Sequence, residues 1–217
     1  MGREKFTGAF HMHDPIDFWL KNLEAETALG EQKNVLWPNT PIHNLQAQIR
    51  EFQGVTDLDY DDERSRPYQI VHYLLGLNLP HEYTILDLLC GDALILEEIA
   101  RWFIGWRAYG IDLQLAEIGT RKRVRPALYA VALQRLLEST PPRRLDIVMM
   151  LNTYRGWEYA RLQEEDKDLP AKTDAWLQAN CEMAILTATQ TQIKRMNNVE
   201  VFGTGEQGSK LIAWRFA

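Results

Sequence analysis

Two aspartates, each in or at the end of a short apolar run, are the residues of this sequence best placed to do chemistry. Asp87 lies in Ile85-Leu86-Asp87-Leu88-Leu89, and Asp112 closes Ala108-Tyr109-Gly110-Ile111-Asp112. After the first run comes Cys90-Gly91-Asp92-Ala93, a tight turn leading into the helical stretch 94–103. A strand that turns sharply into a helix brings its carboxyl end, a set of free amide N–H groups and a glycine backbone to one crevice, where open α/β sheets hold ligands. Gly91 lets a ligand come close to the main chain. A carboxylate at Asp87 accepts hydrogen bonds from a cationic amine and repels a pyrophosphate. One at Asp112, at the end of the neighbouring strand, can hold both hydroxyls of a ribose. A nucleoside bearing an ammonium group suits this pair. A nicotinamide dinucleotide does not, because the G-x-G-x-x-G turn is absent after the first strand.

Further polar groups follow the fourth apolar run, in Leu151-Asn152-Thr153-Tyr154-Arg155-Gly156-Trp157-Glu158. Asn152 can orient a polar acceptor, and Tyr154 or Glu158 can take a proton from an attacking hydroxyl. Packing of Tyr154 and Trp157, with Glu158 facing solvent, stays open as the plainer reading. Arg64, Arg66 and Tyr68 stand at the start of a helix and can reach a ligand carboxylate. Ion pairing of the arginines with the acidic run 57–63 competes with that role. His11, His13 and Asp14 lack a third ligand at metal-binding spacing, so no metal is expected, and Asp14 reads as a helix cap. His72 reads as a packing residue, His43 and His81 as surface residues. Arg121, Lys122, Arg123 and Arg125 read as a solvated loop, with contact to RNA or an acidic substrate as the alternative. Trp19, Trp37 and Phe52 either line an apolar acceptor pocket or pack in the core.

These residues need elements to position them. Asp14 and Pro15 open a helix that carries Ile16, Trp19, Leu20 and Leu23 and ends at Gly30; Thr40 and Pro41 open a second that ends at Gly54. Pro67 starts a third with Ile70, Tyr73, Leu74 and Leu77. After Pro80 short apolar runs alternate with helical stretches, the pattern of βαβ units and a mainly parallel sheet. Strands are expected at 84–89, 107–112, 127–131, 145–151, 183–188, 199–202 and 210–216. The last two are joined by too short a link for a crossover helix and should form an antiparallel hairpin. The 217 residues read as one domain, with an N-terminal helical cap over 1–80 and a ligand-binding core over 81–217.

Composition narrows the partners. The apolar fraction of 46% supports a sizeable core, and a formal charge of −6 opposes loose binding to phosphate backbones. The two cysteines, Cys90 and Cys181, have neither disulfide-framework nor zinc spacing, which fits a reducing cytoplasm. No apolar leader or membrane span is apparent. Monomer and homodimer are both open.

Asp87, Gly91 and Asp112 together resemble the class I S-adenosylmethionine (SAM) dependent methyltransferases, whose first motif runs D-x-G-x-G-x-G and whose second strand ends in a ribose-binding acid. Leu89 and Ala93 stand at that motif's first and third glycines. The similarity extends from about Pro67 to Ala217 and takes in Leu145-Asp146-Ile147-Val148, which looks like the family's fourth strand, and the terminal hairpin. It implies an α/β fold: a seven-stranded, mostly parallel Rossmann-like methyltransferase sheet, ordered 3-2-1-4-5-7-6 with an antiparallel last strand. It also implies SAM as cofactor, held by Tyr68, Asp87, Leu89, Cys90, Gly91, Asp92, Asp112, Leu113, Ala132, Leu151 and Asn152. Where many relatives carry an acid near the adenine amino group, this chain has Ala130-Val131-Ala132-Leu133-Gln134, which offers a backbone contact or Gln134. The segment 151–158 is not the N-P-P-Y or D-P-P-Y run of amino-methylating nucleic-acid enzymes, so DNA is not expected as a partner. The expected activity is methyl transfer to oxygen or nitrogen of a small molecule; the alternative is an inactive methyltransferase-like SAM-binding or scaffold protein.

Overall fold

The computed structural model describes residues 14–31, 65–91, 93–113, 126–151, 162–205 and 208–217. Seven strands form one sheet: β1 (Thr84–Leu88), β2 (Arg107–Ile111), β3 (Ala127–Tyr129), β4 (Leu145–Met150), β5 (Cys181–Ala188), β6 (Val199–Thr204) and β7 (Lys210–Arg215). Their order is β3-β2-β1-β4-β5-β7-β6. β1 pairs in parallel with β2 and β4, β2 with β3 and β4 with β5, while β7 runs antiparallel to both β5 and β6. This is the arrangement implied by the resemblance to class I methyltransferases. The described helices are α1 (Pro15–Glu31), α2 (Arg66–Gly76), α3 (Leu94–Trp102), α4 (Leu133–Leu137), α5 (Leu169–Asn180) and α6 (Gln190–Ile193).

All five residues of β1 are buried, as a central strand covered on both faces requires. Strand alternation sends Ile85 to one face and Leu86 and Leu88 to the other. On the first face Ile85, Ala108, Ile147 and Met149 meet Ile70, Val71 and Leu74 of α2 and Leu96 and Ile99 of α3. On the second, Leu86, Tyr109, Tyr129 and Val148 meet Ile16, Leu20 and Leu23 of α1, Leu133 and Leu136 of α4, and Trp176 and Leu177 of α5. The two described helices from the N-terminal part of the chain thus pack against opposite faces of the sheet. The expected helix over 40–54 and the acidic run 57–63 lie outside the described residues, as do His11, His13, Trp37, His43, Phe52, Arg64 and the cluster 121–125.

Polar side chains fix both described N-terminal helices. In α2 the Ser65 hydroxyl accepts the Tyr68 amide at 3.3 Å and caps the helix. Gln69 then bonds both backbone groups of Thr204 in β6: its Oε1 accepts the amide at 2.8 Å, and its Nε2 donates to the carbonyl at 3.2 Å. Tyr73 stacks on Phe202 and donates its hydroxyl to Glu200. In α1 the Asp14 carboxylate caps the first turn through the Ile16 amide at 3.0 Å. It also accepts the Tyr109 hydroxyl and pairs with Arg107 at 3.3 Å, while Asp17 accepts the Tyr129 hydroxyl.

Several element ends differ from expectation. β3 stops at Tyr129 rather than 131, because Val131 bends back to donate its amide to Tyr129 O at 3.0 Å. β5 begins at Cys181, where α5 ends with the Cys181 amide still bonded to Leu177 O. His72 is exposed instead of packed; it faces out of α2 with its ring stacked on Tyr68 at 4.0 Å. His81 is exposed, as expected. Trp19 is half-buried against the second-face core, beside Leu20 and Leu23.

Candidate ligand site at the carboxyl ends of β1, β2 and β3

The turn after β1 is built from three left-handed residues at alternate positions: Leu89 (φ 58°), Gly91 (φ 56°) and Ala93 (φ 62°). These are the three positions of the glycine motif. All three are left-handed although only the central one is glycine. Leu89 and Ala93 each bear a cost of about 1–2 kcal/mol for holding an L-residue there. Surrounding packing offsets it, since both side chains are buried. Cys90 donates its amide to Ile111 O at 3.1 Å, and Ala93 donates to Cys90 O at 2.9 Å, so the turn is tied to the end of β2 and closed on itself. α3 then begins at Leu94, with Ala93 as a cap residue that offers its first amides no side-chain bond. The positive end of that helix faces the turn.

Asp112 accepts the Gly91 amide through Oδ2 at 2.8 Å and is 3% exposed. Its own amide donates to Tyr129 O at 3.2 Å, which fixes it to the end of β3. Asp87, one strand away and paired in register with Gly110, is 4% exposed. Burial pushes its carboxyl well above the ordinary carboxylate value; the nearby Asp112 charge pushes the same way, and Arg66 opposes both. The two acids therefore sense one another across neighbouring strand ends, and the first residue of α2 places a buried guanidinium within their field. A buried carboxyl strained in this way is the natural counterpart of a cation.

At the end of β3 the amides point to α1. Ala130 donates to Glu24 Oε1 at 2.7 Å, and Ala132 to Thr27 Oγ1 at 3.3 Å. Sequence reasoning gave neither Glu24 nor Thr27 a role. Their i, i+3 spacing on one helical face was the available signal, but nothing in the sequence said which strand that face meets.

Of the expected ligand-binding residues, Asp87, Leu89, Cys90, Gly91 and Asp112 sit at or beside this turn, Leu113 follows Asp112, and Ala132 is the cap residue of α4, three residues beyond β3. Leu151 is buried at the end of β4, where its carbonyl accepts the Thr187 hydroxyl of β5. Tyr68 is half-buried in the first turn of α2 against His72. Asp92, Asn152, Tyr154 and Glu158 lie outside the described residues. Among the described residues no group of three or more His, Cys, Asp or Glu side chains is arranged to hold a metal ion. No described helix is long and apolar enough to cross a membrane.

No protein-family model matches the chain, and no curated protein matches it. Solved structures similar to it include WbdD bound to a kinase inhibitor, at 15% identity and a TM-score of 0.49 over 76% of this chain and 43% of that one. The plantazolicin methyltransferase BpumL in complex with SAH is 16% identical, with a TM-score of 0.45 over 84% of this chain and 65% of that one. The human methyltransferase 10 domain containing protein is 12% identical, with a TM-score of 0.47 over 91% of this chain and 96% of that one. The chain spans less than half the length of the first of these and about two thirds of the second.

Proposed function

We propose that this chain is a SAM-dependent methyltransferase acting on oxygen or nitrogen of a small molecule. One observation carries the reading: Asp87 and Asp112 are both buried at the ends of adjacent parallel strands, and a triply left-handed turn runs between them. The donor set fits the cofactor. A carboxyl held well above its ordinary value by burial and by a second acid is relieved by an ammonium group. Asp112 supplies the carboxylate a ribose needs, and the backbone of Leu89, Cys90 and Gly91 supplies a surface that a nucleoside can approach. Leu113 and Ala132 would border the base, Leu151 and Asn152 the methyl end, and Arg66 with Tyr68 the amino-acid carboxylate.

Bound SAM supplies a methyl carbon already activated by its sulfonium, so the chain's task is alignment and exclusion of water. Asn152 would orient the acceptor, and Tyr154 or Glu158 would take its proton when the nucleophile is a hydroxyl. A small acceptor is favoured by the formal charge of −6, which repels polyanions. Two free thiols suit a cytoplasmic setting.

The test has two stages. Titration calorimetry with SAM and S-adenosylhomocysteine (SAH) should show binding that Asp112→Ala abolishes in a folded protein. Incubation with SAM and a metabolite extract should then yield a product heavier by one methyl group. Absence of binding at millimolar SAM would remove the cofactor reading. Binding without turnover across such a screen would favour an inactive SAM-binding or scaffold protein, a reading that the non-glycine residues at 89 and 93 also motivate.

A further inference from the structure

We infer that helix α1, and not the end of β3, reads the base of the nucleoside, with Glu24 and Thr27 as its specificity determinants. The inference rests on the cofactor reading above and extends it to the part of the ligand that reading leaves without a partner. A nucleoside whose ribose lies on Asp112 must place its base beyond β2. The neighbour on that side is β3, bonded there through the Asp112 amide and Tyr129 O. The link from β3 to α4 is Ala130, Val131 and Ala132, none with a polar side chain. Two of its amides, which would otherwise serve as donors to a ring edge, are taken by α1: Ala130 by Glu24 at 2.7 Å and Ala132 by Thr27 at 3.3 Å. Recognition at this edge therefore passes to the side chains that hold those amides.

Their chemistry matches an adenine edge. Thr27 accepts the Ala132 amide through Oγ1, which leaves its own O–H proton as a donor; among the described residues that proton has no acceptor. Glu24 accepts the Ala130 amide through Oε1, and among the described residues its second oxygen has no donor. Three residues apart on one helix, they offer a donor and an acceptor side by side. An aminopyrimidine edge presents the complement, a ring nitrogen that accepts and an exocyclic amine that donates. Thr27 is 4% exposed and is held by the helix, so the pair is in place before a ligand arrives.

The experiment compares SAH with S-inosylhomocysteine, in which a carbonyl oxygen replaces the exocyclic amine and the ring nitrogen carries a proton. Calorimetry on the full chain should show a preference for SAH of roughly tenfold to a hundredfold, the worth of one or two such bonds. Glu24→Gln must use its single oxygen on the Ala130 amide and present an amine to the base. The preference should then disappear or invert, with the melting temperature unchanged. Thr27→Val keeps the β-branched shape and should weaken SAH about tenfold. A wild-type chain that binds both ligands equally would overturn the inference without any variant. So would an unaltered preference in Glu24→Gln when Asp112→Ala no longer binds SAH, an outcome that leaves the cofactor reading standing. No SAH binding by the wild type would overturn both.

Discussion

The Gly91 amide donates to Asp112 Oδ2 at 2.8 Å, so the acid proposed to hold the ribose also holds the turn after β1. The two roles separate by substitution. Asp112→Ala leaves a part-buried amide unpaired and should cost about 1–3 kcal/mol of stability in urea unfolding, together with loss of SAM binding. Asp112→Asn keeps an oxygen for Gly91 and should restore most of the stability, while binding SAM at least about tenfold more weakly for want of the charge. Equal affinity in the Asp112→Asn variant and the wild type would show that Asp112 acts on the turn alone.

Asp87 should make the protein's stability fall as pH rises. Its folded-state pKa is raised, with burial as the main cause and the Asp112 charge second, above an ordinary value of 3.8. Above that value the unfolded chain releases a proton that the folded chain keeps, so Asp87's contribution is greatest below it and is lost as pH rises through the folded pKa. Asp87→Asn should therefore be more stable than wild type at neutral pH, with the advantage shrinking as the medium is acidified, and should bind SAM poorly. An ammonium ligand lowers the same pKa, so binding should release protons. Calorimetry in buffers of different ionisation enthalpy reads that release directly. Identical pH–stability curves for wild type and variant would refute this role for Asp87.

Gly110 leaves no room for a side chain between Cys90 and Leu128. A Cβ added at Gly110 would stand 2.8 Å from Cys90 Sγ and from Leu128 Cδ2, and 3.2 Å from Leu96 Cδ2. Gly110→Ala should cost about 1–3 kcal/mol and displace the turn proposed to carry the cofactor. Cys90→Ala removes the nearest atom on that turn. The double variant should recover part of both losses, giving a coupling of about 0.5–3 kcal/mol in a double-mutant cycle. Simple additivity would place the strain at Leu128 instead.

The sheet was readable from the chain because parallel strands, covered on both faces, are written as short apolar runs with helical stretches between them. The two acids were readable because each interrupts or ends such a run. The turn was only half readable: Leu89 and Ala93 have the wrong side chains for left-handed backbone, and the burial that holds them there depends on residues far along the chain. Arg66 was readable as a cation at a helix start, but not as the partner that opposes Asp87's raised pKa, which depends on α2 lying on the first face of the sheet. Glu24 and Thr27 were readable only as two polar residues one helical turn apart. Their meaning comes from α1 reaching the end of β3, a contact between parts of the chain more than a hundred residues apart.

The anchoring of α1 carries its own test at high pH. Tyr109 and Tyr129 are buried, and each donates its hydroxyl to an α1 aspartate, Asp14 and Asp17. Burial first, and then the aspartate at the other end of the bond, push both phenols well above their ordinary value of 10.0. Folding therefore keeps two protons that the unfolded chain gives up above that pH, and the stability they confer is present below it and lost as pH climbs toward their folded pKa values. In an alkaline titration followed by tyrosinate absorbance, Tyr109 and Tyr129 should consequently be the last phenols to ionise, after Tyr73, which burial pushes up to about 12, and should do so together as the structure opens. Tyr109→Phe removes the donor and leaves Asp14 with Arg107 and the Ile16 amide; it should lower stability at neutral pH and make alkaline unfolding less steep. Because α1 also presents Glu24 and Thr27, the same variant should weaken SAH binding. Full SAH affinity in a measurably destabilised Tyr109→Phe variant would mean that α1 holds its place at the end of β3 without the tyrosine hydroxyl.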